Sequence, residues 1–123
     1  MISIDRSAIT ALLRDLVQTP SHPGVPRQEE KAAAVLANFF STHGVEFAQH
    51  EVRSGRPNVL ASLHGTMPGK KLLLCGHTDT VPPNKITTMD PFAAEIREGR
   101  MYGRGTVDMK GALAAMAGAL VAL

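Results

Sequence analysis

The stretch LLLCGHTDTVPP, Leu72 to Pro83, decides how this chain reads. Lys71 to Gly76 is of strand length and contains a continuous apolar run. That is the pattern of a strand buried on both faces at the centre of a sheet. The run does not end in ordinary turn residues. His77 and Asp79 follow at once, then Pro82 and Pro83. In an extended segment residues i and i+2 share a face, so His77 and Asp79 can be neighbours. One use of such a pair is a metal site. One imidazole nitrogen then takes the cation, while the other donates to a carboxylate that fixes tautomer and orientation. The other use is a histidine hydrogen-bonded at a strand end, and H-x-D alone does not separate the two. A cis peptide or a tight turn in Val81-Pro82-Pro83 would hold this end rigid. Cys75, inside the apolar run, reads as a buried small side chain rather than a nucleophile.

Toward the N-terminus, Ile9, Leu12, Leu13, Leu16 and Val17 have the spacing of an amphipathic helix over Asp5 to Val17. Pro20 and SHPGVP break it. His22 in that break reads as a solvent-facing loop residue, with reach to a substrate as the alternative. Pro26 suits the first turn of a second helix, with Glu29 and Glu30 near its positive end. Ala33, Leu36, Ala37 and Phe40 form its apolar stripe, His43 lies in its last turn, and Gly44 caps it. VEFAQHEV (Val45 to Val52) alternates as a half-buried strand with His50 outward. NVLASLHG (Asn58 to Gly65) is a second strand across an SGRP turn. His64, closing that strand, is the main rival to His77. Toward the C-terminus, Ala93 to Tyr102 reads as two short strands around REGR. A helix opens near Met109 and runs through Ala112, Leu113, Met116, Ala117, Leu120 and Val121. This order of elements implies an α/β layered domain.

At 123 residues, 44% apolar and 20% charged, the chain suits one globular domain. Net charge is +2 with the signs interspersed, and Trp is absent. Those features argue against a nucleic-acid surface. No apolar stretch approaches a membrane span. MISIDRSAIT lacks the apolar core of a leader sequence. A single cysteine fits a reducing compartment.

The second stretch with chemistry is YGRGTVDMKGALAAM, Tyr102 to Met116. It nearly fits the dinucleotide pattern G-x-G-x-x-G. Asp108, however, stands at the last glycine position, where a carboxylate would repel pyrophosphate. A phosphate-binding P-loop also fails, because Lys110 is followed by glycine and the upstream spacing is wrong. Asp108 is instead presented at the mouth of a helix, either as an N-cap or as a functional carboxylate. Lys110 and Arg104 read as surface charges or as partners of nearby carboxylates.

GHTDTVPP, then DPF (Asp90 to Phe92), then YGRGTVDMKGALAAM occur in order and closely spaced. Together they resemble the N-terminal part of the M20 family of zinc metallohydrolases. That family includes acetylornithine deacetylase, succinyl-diaminopimelate desuccinylase, aminoacylases and carboxypeptidase G2-like enzymes. The resemblance implies that residues 1–123 are an incomplete N-terminal portion of a zinc-peptidase-like, three-layer α/β catalytic domain. Such a domain has a central mixed sheet flanked by helices, and the inserted dimerisation domain is absent here. By the same resemblance His77 binds one of two Zn2+ ions, Asp108 bridges both, and Asp79 is the catalytic carboxylate that orients His77. Co2+ or Mn2+ could substitute. A carboxylate shared by two cations ~3.5–4 Å apart offsets their repulsion, and the pair makes hydroxide available near neutral pH to attack an amide carbonyl. The implied substrates are small N-acyl amino acids or peptides. The implied full-length protein is a cytoplasmic homodimer, with no nucleic-acid or membrane partner.

The family's later Glu-Glu pair, later acid and later histidine have no match here. Glu29-Glu30 precedes His77 on a helix. The tryptophan common before Asp-Pro-Phe in relatives is missing from NKITTMDPF, and Val107 stands at a position that varies among them. The expectation is therefore a fragment that is inactive alone. The rival reading is a non-catalytic α/β binding or assembly module that keeps the family fold. A Ser-His hydrolase is disfavoured because no G-x-S-x-G occurs.

Overall fold

The computed structural model describes residues 3–84 and 88–123. Helix α1 spans Arg6–Val17, and the Asp5 carboxylate caps it by accepting from the N–H groups of Ser7 and Ala8 at 2.9 and 3.1 Å. Its buried stripe is Leu12, Leu16 and Val17, at the periodicity the sequence predicts. Helix α2 spans Glu30–Thr42. Pro26 is not in its first turn, contrary to expectation. Arg27 and Gln28 have positive φ (56° and 27°), so the chain turns at this point before the helix can begin. The predicted stripe of Ala33, Leu36, Ala37 and Phe40 is buried.

The end of α2 follows its sequence closely. Gly44 takes a left-handed φ of 69°. Its N–H donates to Ser41 O and the next N–H, from Val45, donates back to Phe40 O at 3.0 Å. That pair of bonds is the Schellman arrangement, and the contact it promotes is present: Val45 and Phe40 share the core. Strand β1 (Glu46–Arg53) then pairs antiparallel with β2 (Arg56–Ser62), with Phe47 opposite Ala61 and Gln49 opposite Val59. Phe47, Val59 and Ala61 pack on the helices, while His50 is exposed. Most of β1 is more exposed than half-buried. The buried Glu29 carboxylate forks onto the Arg56 guanidinium, with contacts of 2.7 to 3.0 Å, and ties the start of α2 to β2.

Strands β3 (Glu95–Arg97) and β4 (Arg100–Tyr102) form the expected hairpin around REGR. Both turn residues, Glu98 and Gly99, have positive φ (49° and 73°), the requirement of a type I′ turn. An irregular turn, Thr106–Lys110, leads into α3 (Gly111–Ala122). The core lies between the three helices: Leu12 and Leu16 of α1, Leu36, Phe39 and Phe40 of α2, Val45, and Ala114 and Ala117 of α3. Small residues on α3 let α1 approach closely. No helix among the described residues is long and apolar enough to cross a membrane.

The α/β class holds, but one predicted element does not form. Lys71 to Gly76 is not a strand, and among the described residues the two sheets are two-stranded and antiparallel rather than a mixed central sheet. Leu72 and Leu73 are 84% and 76% exposed, and Cys75 is exposed rather than buried. An apolar run becomes a central strand only where strands on either side accept its backbone hydrogen bonds. Among the described residues none lies alongside it. Of the segment NKITTMDPF, residues 85–87 lie outside the described residues.

Candidate functional site

Two arms of chain meet at the site. The first is the extended segment from Gly76 to Thr80. The second is the turn from Gly105 to Lys110. Gly105 is required where they touch: its φ is 86°, and a Cβ there would meet Thr80 Cγ2 at 2.8 Å. Lys110 N–H closes the second arm on Gly105 O at 2.8 Å. Asp108 sits within that turn in an extended conformation (φ −122°, ψ 100°), and its peptide bond to Met109 is cis. Asp108 is therefore not the N-cap of α3, whose cap position is Lys110. Its side chain is 84% exposed and points at the first arm. The only cis peptide among the described residues lies there, not in Val81-Pro82-Pro83.

The three residues named by the sequence are brought together. His77 Nδ1 lies 3.0 Å from the carbonyl oxygen of Asp79 and 3.1 Å from its Oδ1. His77 Nε2 lies 3.0 Å from Asp108 Oδ1. His77 N–H also donates to the Met109 sulfur at 3.4 Å, a further link between the arms.

This arrangement has a chemical consequence. A neutral imidazole carries one proton. Nδ1 faces two acceptors from Asp79, so the proton belongs there. Nε2 then directs its lone pair at the Asp108 carboxylate, and two acceptors cannot bond each other. The position between Nε2 and Oδ1 calls for a second proton or for a cation. Proton affinity responds accordingly. Burial acts to lower the His77 pKa, but the Asp79 carbonyl, the Asp108 hydrogen bond and both carboxylate charges outweigh it and raise the pKa above its ordinary value.

An imidazole nitrogen beside a carboxylate oxygen, with the other ring nitrogen held by a second carboxylate, suits zinc or a similar divalent ion in donor chemistry. The donor number is incomplete: among the described residues no group of three or more His, Cys, Asp or Glu side chains converges to hold a metal ion. Asp79 and His77 touch through Nδ1, on the side of the ring away from Asp108.

The other histidines stand elsewhere. His64, the rival to His77, lies beyond the end of β2, is 85% exposed, and approaches Glu46 Oε2 at 3.8 Å. His22 stacks on Phe92, ring centroids 5.9 Å apart. His43 packs on the Phe39 ring, and its Nδ1 lies 2.8 Å from Phe39 O. The Asp-Pro-Phe element closes on itself, with Asp90 Oδ1 accepting the Phe92 N–H at 2.9 Å.

Sequence reasoning misplaced Lys110 and passed over Ser21. Lys110 is not a surface charge and has no carboxylate partner among the described residues. It is fully buried, and its ammonium donates to the carbonyls of Leu16 and Thr19 at 2.7 and 2.8 Å. Burial pushes its pKa down to about 8. A signal existed: Lys110 is the last charge in the sequence, at the head of a helix with no polar stripe. Ser21 is also fully buried, and its hydroxyl donates to Thr78 O at 2.7 Å.

Comparison with known proteins agrees with the motif resemblance. The model of Peptidase family M20/M25/M40 matches residues 73–123, the segment that contains both arms. The chain is 39% identical over 121 residues to succinyl-diaminopimelate desuccinylase 2 of Ruegeria sp., covering 97% of this chain and 29% of that protein. It is 40% identical over 116 residues to acetylornithine deacetylase of Proteus mirabilis, covering 89% and 30%. It is 40% identical over 111 residues to succinyl-diaminopimelate desuccinylase of Acidiphilium cryptum, covering 90% and 28%. The chain thus spans about three tenths of the length of these curated relatives.

Proposed function

We propose that this chain, which carries the sequence of peptidase family M20/M25/M40 over residues 73–123, supplies two metal ligands and their orienting carboxylate to a metal-dependent amide hydrolase. His77 through Nε2 and Asp108 through Oδ1 are the ligands. Asp79 holds the Nδ1 proton of His77, fixing the tautomer that leaves Nε2 free. The observation that carries this reading is the lone pair of Nε2 aimed at a carboxylate 3.0 Å away, a geometry that only a proton or a cation satisfies. A divalent ion at this position would polarise an amide carbonyl and lower the pKa of a water. Zinc suits the donors, two ions in a complete site, with Co2+ or Mn2+ as substitutes.

The names of the relatives, a desuccinylase and a deacetylase, support amide bonds of small N-acyl amino acids or peptides as the substrate class. In this reading residues 1–123 belong to the N-terminal portion of the catalytic domain of a cytoplasmic homodimer free of nucleic-acid and membrane partners. The 123-residue polypeptide alone turns over no substrate, because two converging donors fall short of the three protein ligands of a catalytic zinc site.

A chimera tests the proposal. This chain replaces the matching N-terminal part of the Proteus mirabilis acetylornithine deacetylase, and hydrolysis of N-acetylornithine is assayed with zinc or cobalt. The expected result is activity that falls at least about a thousandfold in both His77→Ala and Asp108→Asn, in keeping with loss of metal-assisted chemistry. A folded, active chimera indifferent to both substitutions would overturn it. A folded but inactive chimera that binds no metal would favour the non-catalytic module.

A further inference from the structure

The two arms of the site touch through the pairing of His77 Nε2 with Asp108 Oδ1 and through the His77 N–H bond to the Met109 sulfur, both at exposed positions. Each arm is fastened separately to the same short stretch of chain, the C-terminal end of α1 and the residues after it. The second arm is fastened by Lys110, two residues beyond Asp108, whose ammonium bonds Leu16 O at 2.7 Å and Thr19 O at 2.8 Å. The first arm is fastened by Ser21, whose hydroxyl bonds Thr78 O at 2.7 Å and whose carbonyl accepts from Thr80 N–H at 3.4 Å. Thr78 sits between His77 and Asp79. Both anchoring side chains are fully buried.

We propose that Lys110 and Ser21 are positioning residues that use the end of α1 as a common clamp, setting Asp108 opposite His77. Filling volume does not account for Lys110. Methionine would occupy the same space without the cost of burying an ammonium. What lysine adds is a cation for the negative end of α1 and hydrogens for two carbonyls there, Thr19 O and Leu16 O, the latter also accepting the Thr19 N–H at 3.2 Å. Two of the three hydrogens are used, one on each carbonyl, and they tie the turn to the end of α1 at two points. The turn itself has no regular helical hydrogen bonding to do so, since Asp108 and Met109 depart from helical dihedrals. The direct contacts between the arms are Nε2 to Oδ1, between side chains 47% and 84% exposed, and the long His77 N–H to Met109 sulfur bond, and together they are too weak to set the geometry unaided. The clamp must therefore come from below, and Leu16 to Ser21 is where both anchors land.

This proposal deepens the metal reading and rests on it for its functional meaning, but its geometry is testable without metal. The experiment is 15N NMR of the His77 imidazole in the 123-residue chain, first metal-free at fixed pH and then titrated with zinc chloride. Wild type is compared with Lys110→Met, Lys110→Arg and Ser21→Ala, and thermal melts run alongside. The expected result in Lys110→Met is a changed Nε2 shift, loss of the nuclear Overhauser contact between His77 and Met109, and about tenfold weaker zinc response at His77, with native core resonances. Lys110→Arg restores part of each, and Ser21→Ala gives a smaller change in the same direction. Should Lys110→Met not fold, Ser21→Ala and Lys110→Arg decide. The proposal is overturned if the variants that fold keep the wild-type Nε2 shift and zinc response while only the melting temperature falls. A wild-type His77 that ignores zinc would sink the metal reading alone, and the metal-free comparison would still judge the clamp.

Discussion

Asp79 does two jobs with one residue. Its carbonyl and its carboxylate both face His77 Nδ1, at 3.0 and 3.1 Å. Asp79→Asn removes the charge but leaves the carbonyl in place, so the tautomer of His77 is largely kept. The expected outcome is a loss of divalent-ion affinity at His77 near the small end of what outer partners cost, about tenfold, with the fold unchanged. Isothermal titration of the chimera with zinc measures it, and a loss as complete as that of His77→Ala would mean Asp79 is itself a ligand. At this scale the sequence was informative. His77, Asp79 and Asp108 were legible because i, i+2 spacing and a glycine-flanked acid at a helix mouth are local patterns. Lys110 was not, because its partners are main-chain carbonyls some ninety residues earlier, and carbonyls leave no mark in a sequence.

Among the elements, α1 carries more than its share. It supplies Leu12 and Leu16 to the core and its C-terminal end to both arms. Its N-terminus depends on Asp5, whose pKa is held below the ordinary carboxylate value first by the Ser7 hydroxyl and then by the N–H groups of Ala8 and Ser7. A carboxyl with a lowered folded pKa stabilises the fold above its unfolded pKa, and that contribution is lost as pH falls through the lowered value. Helix α1 should therefore fray at its start below about pH 3.8, the ordinary value. Hydrogen exchange of the first-turn amides between pH 5 and 2, conditions set by this acid window, should show that loss in wild type and a flatter profile in Asp5→Asn, which caps without titrating. Helices and hairpins were readable here because their signals are local: the 3.6-residue stripe, Gly44 at a helix end, Glu98-Gly99 in a two-residue turn. Lys71 to Gly76 shows the limit. Its composition says central strand, but a strand is a relation to neighbours, and the described residues provide none. The misjudged start of α2 has the opposite cause, since Pro26 permits a helix that the left-handed Arg27 and Gln28 then prevent.

For the whole molecule, the exposed run Leu72 to Leu74 is the main liability. Leu72, Leu73 and Leu74 are 84%, 76% and 48% exposed, next to backbone groups with no strand partner. Such an edge invites pairing with another chain. Sedimentation velocity across a concentration series should show self-association of the 123-residue polypeptide, reduced in the Leu72→Lys, Leu73→Lys double variant. A wild type that stays monodisperse at every concentration would mean that the run is covered in solution.

The metal reading requires the space between His77 Nε2 and Asp108 Oδ1 to be a cation position. The most direct test is a zinc titration of the 123-residue chain followed through the ring signals of His77 and the carboxyl carbon of Asp108. Both signals should move together, saturation should come only far above stoichiometric zinc because two donors are too few for tight binding, and Asp108→Asn should abolish the response at His77. Zinc that binds while leaving His77 and Asp108 unmoved, or a His77 response that survives Asp108→Asn intact, would contradict it.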